Sequence, residues 1–245
     1  NFAKAFDIKF LDENNQLQYC WTTSWGLSTR FIGAIIMTHG DDQGLVLPPR
    51  LAPIQVVIVP IFRNDDERSR VMPVADEVQR RLAGLRLKMD ARDEVTPGFK
   101  FNDWELRGVP LRIEIGPQDV TRGEITLARR HLPGRAGKTT LPVGDDLAAQ
   151  VQTVLDEIQA AMLEKAQNFR NEHIFEPKTY AELVEGVQNG WAYAAWCGRT
   201  GCEAKVKEET KATTRCIPLQ QADNEGVCIV CGEPAHEKVY FARSY

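Results

Sequence analysis

The chain has 245 residues, of which 43% are hydrophobic and 26% charged, and its net charge is −4. This length favours two or three domains, and the composition is that of a globular protein with a sizeable core. The negative net charge excludes a general nucleic-acid coat protein, so a nucleic-acid site would have to be a local basic patch. No apolar run approaches the ~20 residues that a membrane-spanning helix needs, and residues 1–9 lack the apolar segment of a signal peptide. Because the chain opens on NFAKAFDIKF rather than on Met, we expect further residues upstream.

The amino-terminal part is predicted to begin with two antiparallel strands. Residues 1–10 alternate apolar and polar side chains, and residues 12–15 have the Asp and Asn composition of a turn. Residues 16–30 then return as the second strand.

The second half of that predicted strand leads into a helix. Residues 21–30 are rich in Thr, Ser and Trp, which is typical of a buried strand, and Gly26 would let a ligand approach the backbone. The apolar run 31–37, which ends before Gly40, predicts a short buried helix. Arg30 stands at the junction, where a guanidinium could bind phosphate or carboxylate, or form a structural ion pair at the helix start. The residues alone leave both roles open.

A loop rich in Gly, Asp and Pro, residues 39–53, predicts the first domain boundary. Beyond it, strands and helices alternate over residues 55–62, 65–82, 85–89, 96–106 and 111–115. This order predicts parallel βαβ units with right-handed crossovers. A further strand is expected at 124–129, followed by a loop at GRAGKT, which lacks the full spacing of a phosphate-binding loop.

The carboxyl-terminal part is predicted to be largely helical before a cluster of cysteines. Residues 145–172 carry one apolar stripe and form the longest expected helix, and residues 180–196 continue as helix. Two short-spaced cysteine pairs follow: Cys197, Cys202, Cys228 and Cys231. Their spacing favours a structural four-thiolate zinc site over disulfides, because nothing in the sequence suggests secretion. His236 is a less favoured alternative ligand.

At TSWGLSTR, HGDDQGLVLPPRLAPIQVVIVPI and the closing FARSY, the sequence resembles the prolyl-tRNA synthetases of the eukaryote- and archaea-like type. The resemblance covers the whole chain and implies a multidomain α+β and α/β fold. Residues 1–53 would be the end of an antiparallel-sheet class II catalytic domain, residues 54–143 a βαβαβ anticodon-binding domain, and residues 144–245 a linker helix with a small α+β zinc-binding domain. The first two catalytic motifs of the family lie upstream of residue 1, so this chain alone would not form an adenylate.

The resemblance implies ligation of L-proline to tRNA(Pro) with ATP and Mg²⁺, in a cytoplasmic homodimer. Catalysis there is mainly positioning and electrostatic stabilisation. Arg30 matches the motif 3 arginine, which would clamp ATP phosphate or stack on adenine. Ser28 would lie near the substrate, and Trp25 and Gly26 would form the floor or wall of the site. We also expect Tyr245 to fold back towards the active site.

The segment TPGFKFNDWELRGVPLR is the expected base-reading element. Proline anticodons share two guanines, whose edges pair with a carboxylate or with Arg and Lys. The segment offers Lys100, Phe101, Glu105, Arg107 and Arg112. We expect Glu105 and Lys100 to read bases; the alternative is a solvated helix face with Trp104 in the core.

Two other functions remain to be weighed. One is a non-catalytic tRNA-binding or regulatory synthetase-like protein, against which the intact TSWGLSTR argues. The other is a zinc-ribbon nucleic-acid binder, against which the scarcity of clustered basic residues around the cysteines argues.

Overall fold

The computed structural model describes residues 2–132, 134–221 and 226–243. Tyr245, and with it the expectation that it folds back, lies outside these ranges. Within them, every helix is too short or too polar to cross a membrane.

The first unit is small and open. It consists of α1 (Phe2–Ala5), β1 (Lys9–Leu11), β2 (Leu17–Tyr19) and α2 (Arg30–His39). The strands pair antiparallel, which confirms the predicted hairpin, although both strands are shorter than expected. The strand prediction is wrong at residues 2–5, which form α1. The predicted buried strand over 21–30 is wrong, because residues 20–28 form no regular secondary structure and residues 21–30 are exposed.

Helix α2 forms where the apolar run predicts it, but its predicted burial is wrong. It begins at Arg30 and ends before Gly40, whose N–H donates to the Ile36 carbonyl at 2.8 Å. None of its ten side chains is buried. Apolar side chains are buried only where another element covers them. The helix Leu147–Glu172 contacts α2, and Gly33, Ile35 and His39 are half-buried, but the described residues cover no side chain of α2 completely.

The central domain is a five-stranded sheet with helices. Its elements are β3 (Val56–Pro60), α3 (Asp65–Arg81), β4 (Leu87–Met89), α4 (Pro97–Leu106), β5 (Leu111–Ile115), α5 (Pro117–Arg122), β6 (Glu124–Arg129) and β7 (Lys138–Pro142). The strand order is β4-β3-β5-β6-β7, with β3 parallel to both β4 and β5. This confirms the βαβαβ prediction. The predicted GRAGKT loop is only partly right, because Gly134–Gly137 is a 3-10 turn and the following residues add antiparallel edge strand β7.

Local signals explain the helix starts of this domain. The Asn64 side chain caps α3 by accepting the Glu67 N–H at 2.9 Å, and acidic residues fill the first turn. The Thr96 hydroxyl caps α4, with Pro97 in the first turn. Strand β3 is buried along its whole length, as its β-branched run predicts.

Helix α6 (Leu147–Glu172) continues this domain towards the third unit. Its apolar stripe joins the core formed by β3, β5 and α3, through Val151, Val154, Leu155, Ile158 and Met162. The predicted long helix is therefore confirmed.

The third unit is a four-stranded sheet with two helices. It contains β8 (Ile174–Phe175), α7 (Tyr180–Gly186), β9 (Trp191–Trp196), α8 (Thr200–Thr210), β10 (Ala212–Cys216) and β11 (Glu237–Arg243), in the sheet order β10-β11-β9-β8. The predicted helix over 180–196 is wrong beyond Gly186. The segment WAYAAW alternates with period two, which buries Ala192 and Ala194 on one face of β9.

Candidate functional site

The four predicted metal ligands come together beside the third sheet. Their sulfur atoms all lie within 4.8 Å of one another, and the set is Cys197, Cys202, Cys228 and Cys231. The Cys197 sulfur lies 3.6 Å from that of Cys202 and 3.8 Å from that of Cys231. A tetrahedron with Zn–S bonds of about 2.3 Å has edges of about 3.8 Å, so the spacing fits a four-thiolate ion. His236 is not a member of this group.

Tight turns position the sulfurs. Gly198 and Gly232, which follow the first and last ligand, both have a φ of +75°, in the left-handed region that favours glycine. The Gly232 N–H donates to the Cys228 carbonyl at 2.9 Å and closes the second turn. Burial opposes ionisation of Cys228, but backbone N–H groups of Cys231 and Val230 outweigh it and lower its pKa to about 7. Burial raises the pKa of Cys202 to about 12, so a bound metal would have to displace its proton.

A second candidate site is a cavity of about 460 Å³ in the central domain. It lies between the end of α4, strand β5, the β6–β7 connection and the turn that follows α2. Its walls are rich in basic side chains, including Arg112, Arg129, Arg130, Arg135, Lys138 and Lys165. Among the acidic side chains that line it is Glu105. Such a cavity suits an anionic ligand that also carries N–H or O–H groups, which can donate hydrogen bonds to the carboxylate.

Glu105 is held in place by a chain of ion pairs. Arg112 donates to the Glu105 carboxylate at 2.7 Å and, through two nitrogens, to Glu114 at 3.0 and 3.1 Å. Lys138 donates to the other Glu114 oxygen at 2.7 Å. The Phe101 ring lies 4.1 Å from the Arg112 guanidinium, an arrangement that adds cation–π attraction. One aromatic ring, two carboxylates and two cations are thus brought to one place.

The structure separates the other predicted base-reading residues from this cavity. Lys100 is only 3% exposed, and its ammonium donates to the Asp90 carbonyl at 3.2 Å. Arg107 pairs with Asp103 at 2.9 Å and lies over the Trp104 ring. Lys138, by contrast, lines the cavity although sequence reasoning passed over it inside the GRAGKT segment.

A buried network fixes α4 from behind. The Asp90 carboxylate accepts the Trp104 indole N–H at 2.8 Å and two bonds from the Arg92 guanidinium, at 2.8 and 2.7 Å. Burial alone would raise the pKa of Asp90, but hydrogen bonds from Arg92 and Trp104 outweigh it and lower that pKa from 3.8 to about 2. Arg92 also reaches Asp103 at 2.9 Å. The carboxylate is therefore ionised at neutral pH and ties β4 to α4.

The residues predicted to face ATP lie together around the start of α2. A shallow hollow is lined by Gly26, Leu27, Ser28, Arg30, Phe31 and Ala34. The Ser28 hydroxyl accepts the Arg30 backbone N–H at 3.4 Å. Trp25 is 94% exposed, and no described atom lies within 4 Å of a Cβ placed on Gly26. The hollow is open to solvent on its other sides.

Comparison with known proteins identifies two regions. A family model described as "Anticodon binding domain" matches residues 55–145, and one described as "Prolyl-tRNA synthetase, C-terminal" matches residues 180–245. The first match contains most of the residues that line the basic cavity, and the second contains the four cysteines.

Curated relatives and solved structures match along the entire chain. A proline–tRNA ligase of Chloroflexus aurantiacus is 52% identical over 246 residues, covering 100% of this chain and 51% of the relative. The chloroplastic/mitochondrial proline–tRNA ligase of Arabidopsis thaliana is 49% identical over 250 residues and is covered to 46%. A prolyl-tRNA synthetase of Cryptosporidium parvum, solved with L-proline and AMP, superposes with a TM-score of 0.86 at 37% identity, covering 100% of this chain and 52% of that one. The chain thus spans about half the length of the relatives it matches.

Proposed function

We propose that this chain, which belongs to the prolyl-tRNA synthetase family, is the tRNA-reading half of a proline–tRNA ligase. The whole ligase would activate L-proline with ATP to prolyl-adenylate and transfer the prolyl group to tRNA(Pro). The observation that carries the proposal is the 52% identity to a proline–tRNA ligase over the full chain. The basic cavity, most of whose lining lies in the anticodon-binding match, supports it independently.

In activation, the proline carboxylate attacks the α-phosphate of ATP and pyrophosphate leaves. Negative charge builds up on the phosphates, and a preformed cation lowers the barrier by stabilising it. Arg30 would contact ATP phosphate or adenine from the start of α2, with Ser28 near the substrate and Trp25 and Gly26 along the same wall. Mg²⁺ bound with ATP would share the phosphate charge.

The exposed apolar residues of the first unit support a covering partner. Phe31, Ile32, Ile36 and Met37 of α2 are all exposed. We propose that the amino-terminal half found in the relatives covers them and completes the catalytic site. The boundaries 1–53, 54–143 and 144–245 remain our division of this chain. By the family resemblance, we extend the proposal to a cytoplasmic homodimer.

For anticodon reading, Glu105 would accept the N1–H and N2–H₂ groups of a guanine, which a carboxylate matches well. Lys138 and Arg112 would donate to acceptor atoms of the bases or to the backbone, and Phe101 would offer a stacking surface. Arg107 would contribute at the outer side of α4. We leave Lys100 out of base reading, because its ammonium is buried against Asp90.

The cysteine cluster would hold Zn²⁺ as a structural ion. All four coordination positions would come from Cys197, Cys202, Cys228 and Cys231, which leaves no open position for chemistry. Its role would be to join β9, α8 and the loop before β11.

The test is an activity assay of the full-length protein. Proline should support ATP–pyrophosphate exchange, other amino acids should not, and tRNA(Pro) should then be prolylated. Exchange with another amino acid but not with proline would overturn the proposal. Binding of tRNA without any exchange would favour the non-catalytic tRNA-binding alternative.

A further inference from the structure

Arg130 is a buried arginine that joins the basic cavity to the segment after α2. Its side chain is 4% exposed, and its guanidinium donates to both carboxylate oxygens of Asp41, at 2.7 and 2.5 Å. Its Nε donates to the Glu105 backbone carbonyl at 3.0 Å. A single side chain therefore contacts two places. One is the last turn of α4, which presents Glu105 to the cavity, and the other is the Asp41 carboxylate in the turn after α2.

The two segments that Arg130 joins also pack directly. The Leu45 N–H donates to the Leu106 carbonyl at 3.0 Å. Gly44, at a φ of +127°, is so close that a Cβ there would lie 2.6 Å from the Leu106 backbone. Gly108, at a φ of +72°, is equally close to Leu45. Because neither contact leaves space, the end of α4 cannot move towards the turn after α2 without displacing that turn.

Asp41 lies two residues after the last residue of α2, and Arg30 is the first residue of the same helix. Ten helical residues span about 15 Å, and a helix moves largely as a rigid rod over that length. The hydrogen bond from Arg130 holds the pKa of Asp41 below its usual range, against the opposing effect of burial. The contact is therefore a bidentate salt bridge between two charged groups, a geometry that fixes the orientation of Asp41 relative to Arg130.

We propose that Arg130 is a positioning residue that couples occupancy of the anticodon cavity to the placement of Arg30. A guanine bound to Glu105 would compete with its Arg112 contact and shift the end of α4. Arg130 and Asp41 would pass that shift to α2. The inference rests on the proposed function and predicts that the anticodon controls the kcat of overall prolylation, through the activation step, as well as tRNA affinity.

The experiment uses the full-length protein with tRNA(Pro) transcripts that carry either the normal or a guanine-substituted anticodon. We expect the parent to prolylate the normal transcript with the higher kcat. The ratio of interest is the kcat for the normal transcript divided by the kcat for the guanine-substituted one. Arg130→Gln and Asp41→Asn should each reduce this kcat ratio by about tenfold, within the usual range of coupling between sites. The double variant should lose no more than either single variant, because both remove the same contact. The ratio of KM values should change by less than about twofold, because both substitutions retain the Glu105 carboxylate that would contact the guanine.

Arg81→Gln is the matched control. Arg81 also bridges two segments, donating to Asp145 and to the Gly144 carbonyl at 3.0 Å each, but it does not line the cavity. Its kcat ratio should equal that of the parent. If Arg130→Gln does not fold, Asp41→Asn decides the matter, because Asp41 is half exposed.

An unchanged kcat ratio in Asp41→Asn would overturn the coupling. A change in the KM ratio without a change in the kcat ratio would also overturn it, and would show that Arg130 only supports the cavity wall. A parent that does not prolylate tRNA would overturn the proposed function, and the inference with it.

Discussion

The first unit and the central domain differ in how far their apolar side chains are buried. In the central domain, β3 and β5 are buried along their whole length between layers supplied by the same chain. In the first unit, the ten residues of α2 include none that is buried. The central domain is therefore stabilised by its own core, whereas the described residues leave most of the apolar surface of α2 exposed. The proposed ATP-facing residues lie on the open unit and the proposed anticodon-reading residues on the closed one.

The largest expected effect lies on the open unit. In the full-length protein, Arg30→Ala should lower proline-dependent ATP–pyrophosphate exchange by about 1000-fold, as expected when one preformed contact to developing charge is removed. Its thermal midpoint should not change, because the side chain is exposed. Arg70→Ala, at an exposed position of α3, is the control and should exchange normally. Normal exchange in Arg30→Ala would remove this residue from the active site.

The second effect concerns the third unit, whose small core we expect to depend on metal. Cys228→Ser should remove about one equivalent of zinc per chain and at least about 3 kcal/mol of unfolding free energy, because metal binding and folding are linked. Metal analysis and urea denaturation measure the two changes. Cys216→Ser is the control, since Cys216 is exposed and outside the cluster. Full zinc content in Cys228→Ser would contradict the ligand assignment.

A smaller effect tests the closed domain from within. Asp90→Asn should lower the free energy of unfolding by about 2 kcal/mol at pH 7, because it weakens the charge-assisted hydrogen bonds to the partly exposed Arg92 and to Trp104. The folded pKa of Asp90 lies near 2 and its unfolded value near 3.8, so the carboxylate stabilises the fold fully above pH 4. This contribution is lost as the pH falls from 4 through 2.

Parent and variant should therefore differ in urea denaturation at neutral pH and converge at about pH 2. Asp93→Asn, which breaks the exposed pair with Arg68, should change stability by less than about 0.5 kcal/mol. A constant difference between parent and Asp90→Asn at every pH would show that the carboxylate charge is not responsible.

The smallest effect on stability should come from Gly26→Ala. Its added Cβ meets no described atom within 4 Å, so the free energy of unfolding should change by less than about 0.5 kcal/mol. If Gly26 lies against a ligand, the KM for ATP or proline should nevertheless rise. Unchanged kinetics would remove Gly26 from the ligand-facing wall.

Prediction from sequence succeeded where the chain buries its own residues. The run LRIEI predicted β5 to the residue, and the apolar stripe of α6 was equally clear, because each pattern is answered by neighbours in the same domain. Residues 21–30 were misjudged, since a pattern typical of burial says nothing about whether the covering surface belongs to the same chain. Strand β9 was missed because the alanines of WAYAAW favour helix, although its period of two was visible.

Among the predicted base-reading residues, one could have been placed correctly from the sequence, whereas one cavity residue could not have been found. Phe101 and Glu105 are four residues apart on one helix face, while Lys100 shares its face with the buried Trp104. Helical spacing could therefore have placed Lys100 inside the domain. Lys138 could not be found in the same way, because only the pairing of β6 with β7 brings it next to α4.

The central claim, that this chain reads the anticodon of a tRNA charged with proline, is tested most directly through Glu105. The measurement is kcat/KM for prolylation of tRNA(Pro) transcripts with normal and guanine-substituted anticodons, by full-length parent and by Glu105→Ala. The parent should favour the normal anticodon by at least about 100-fold, and Glu105→Ala should lose most of that preference, since a carboxylate matched to a guanine edge contributes about 1–3 kcal/mol of discrimination. Equal preference in parent and variant, or no prolylation by the parent, would contradict the account.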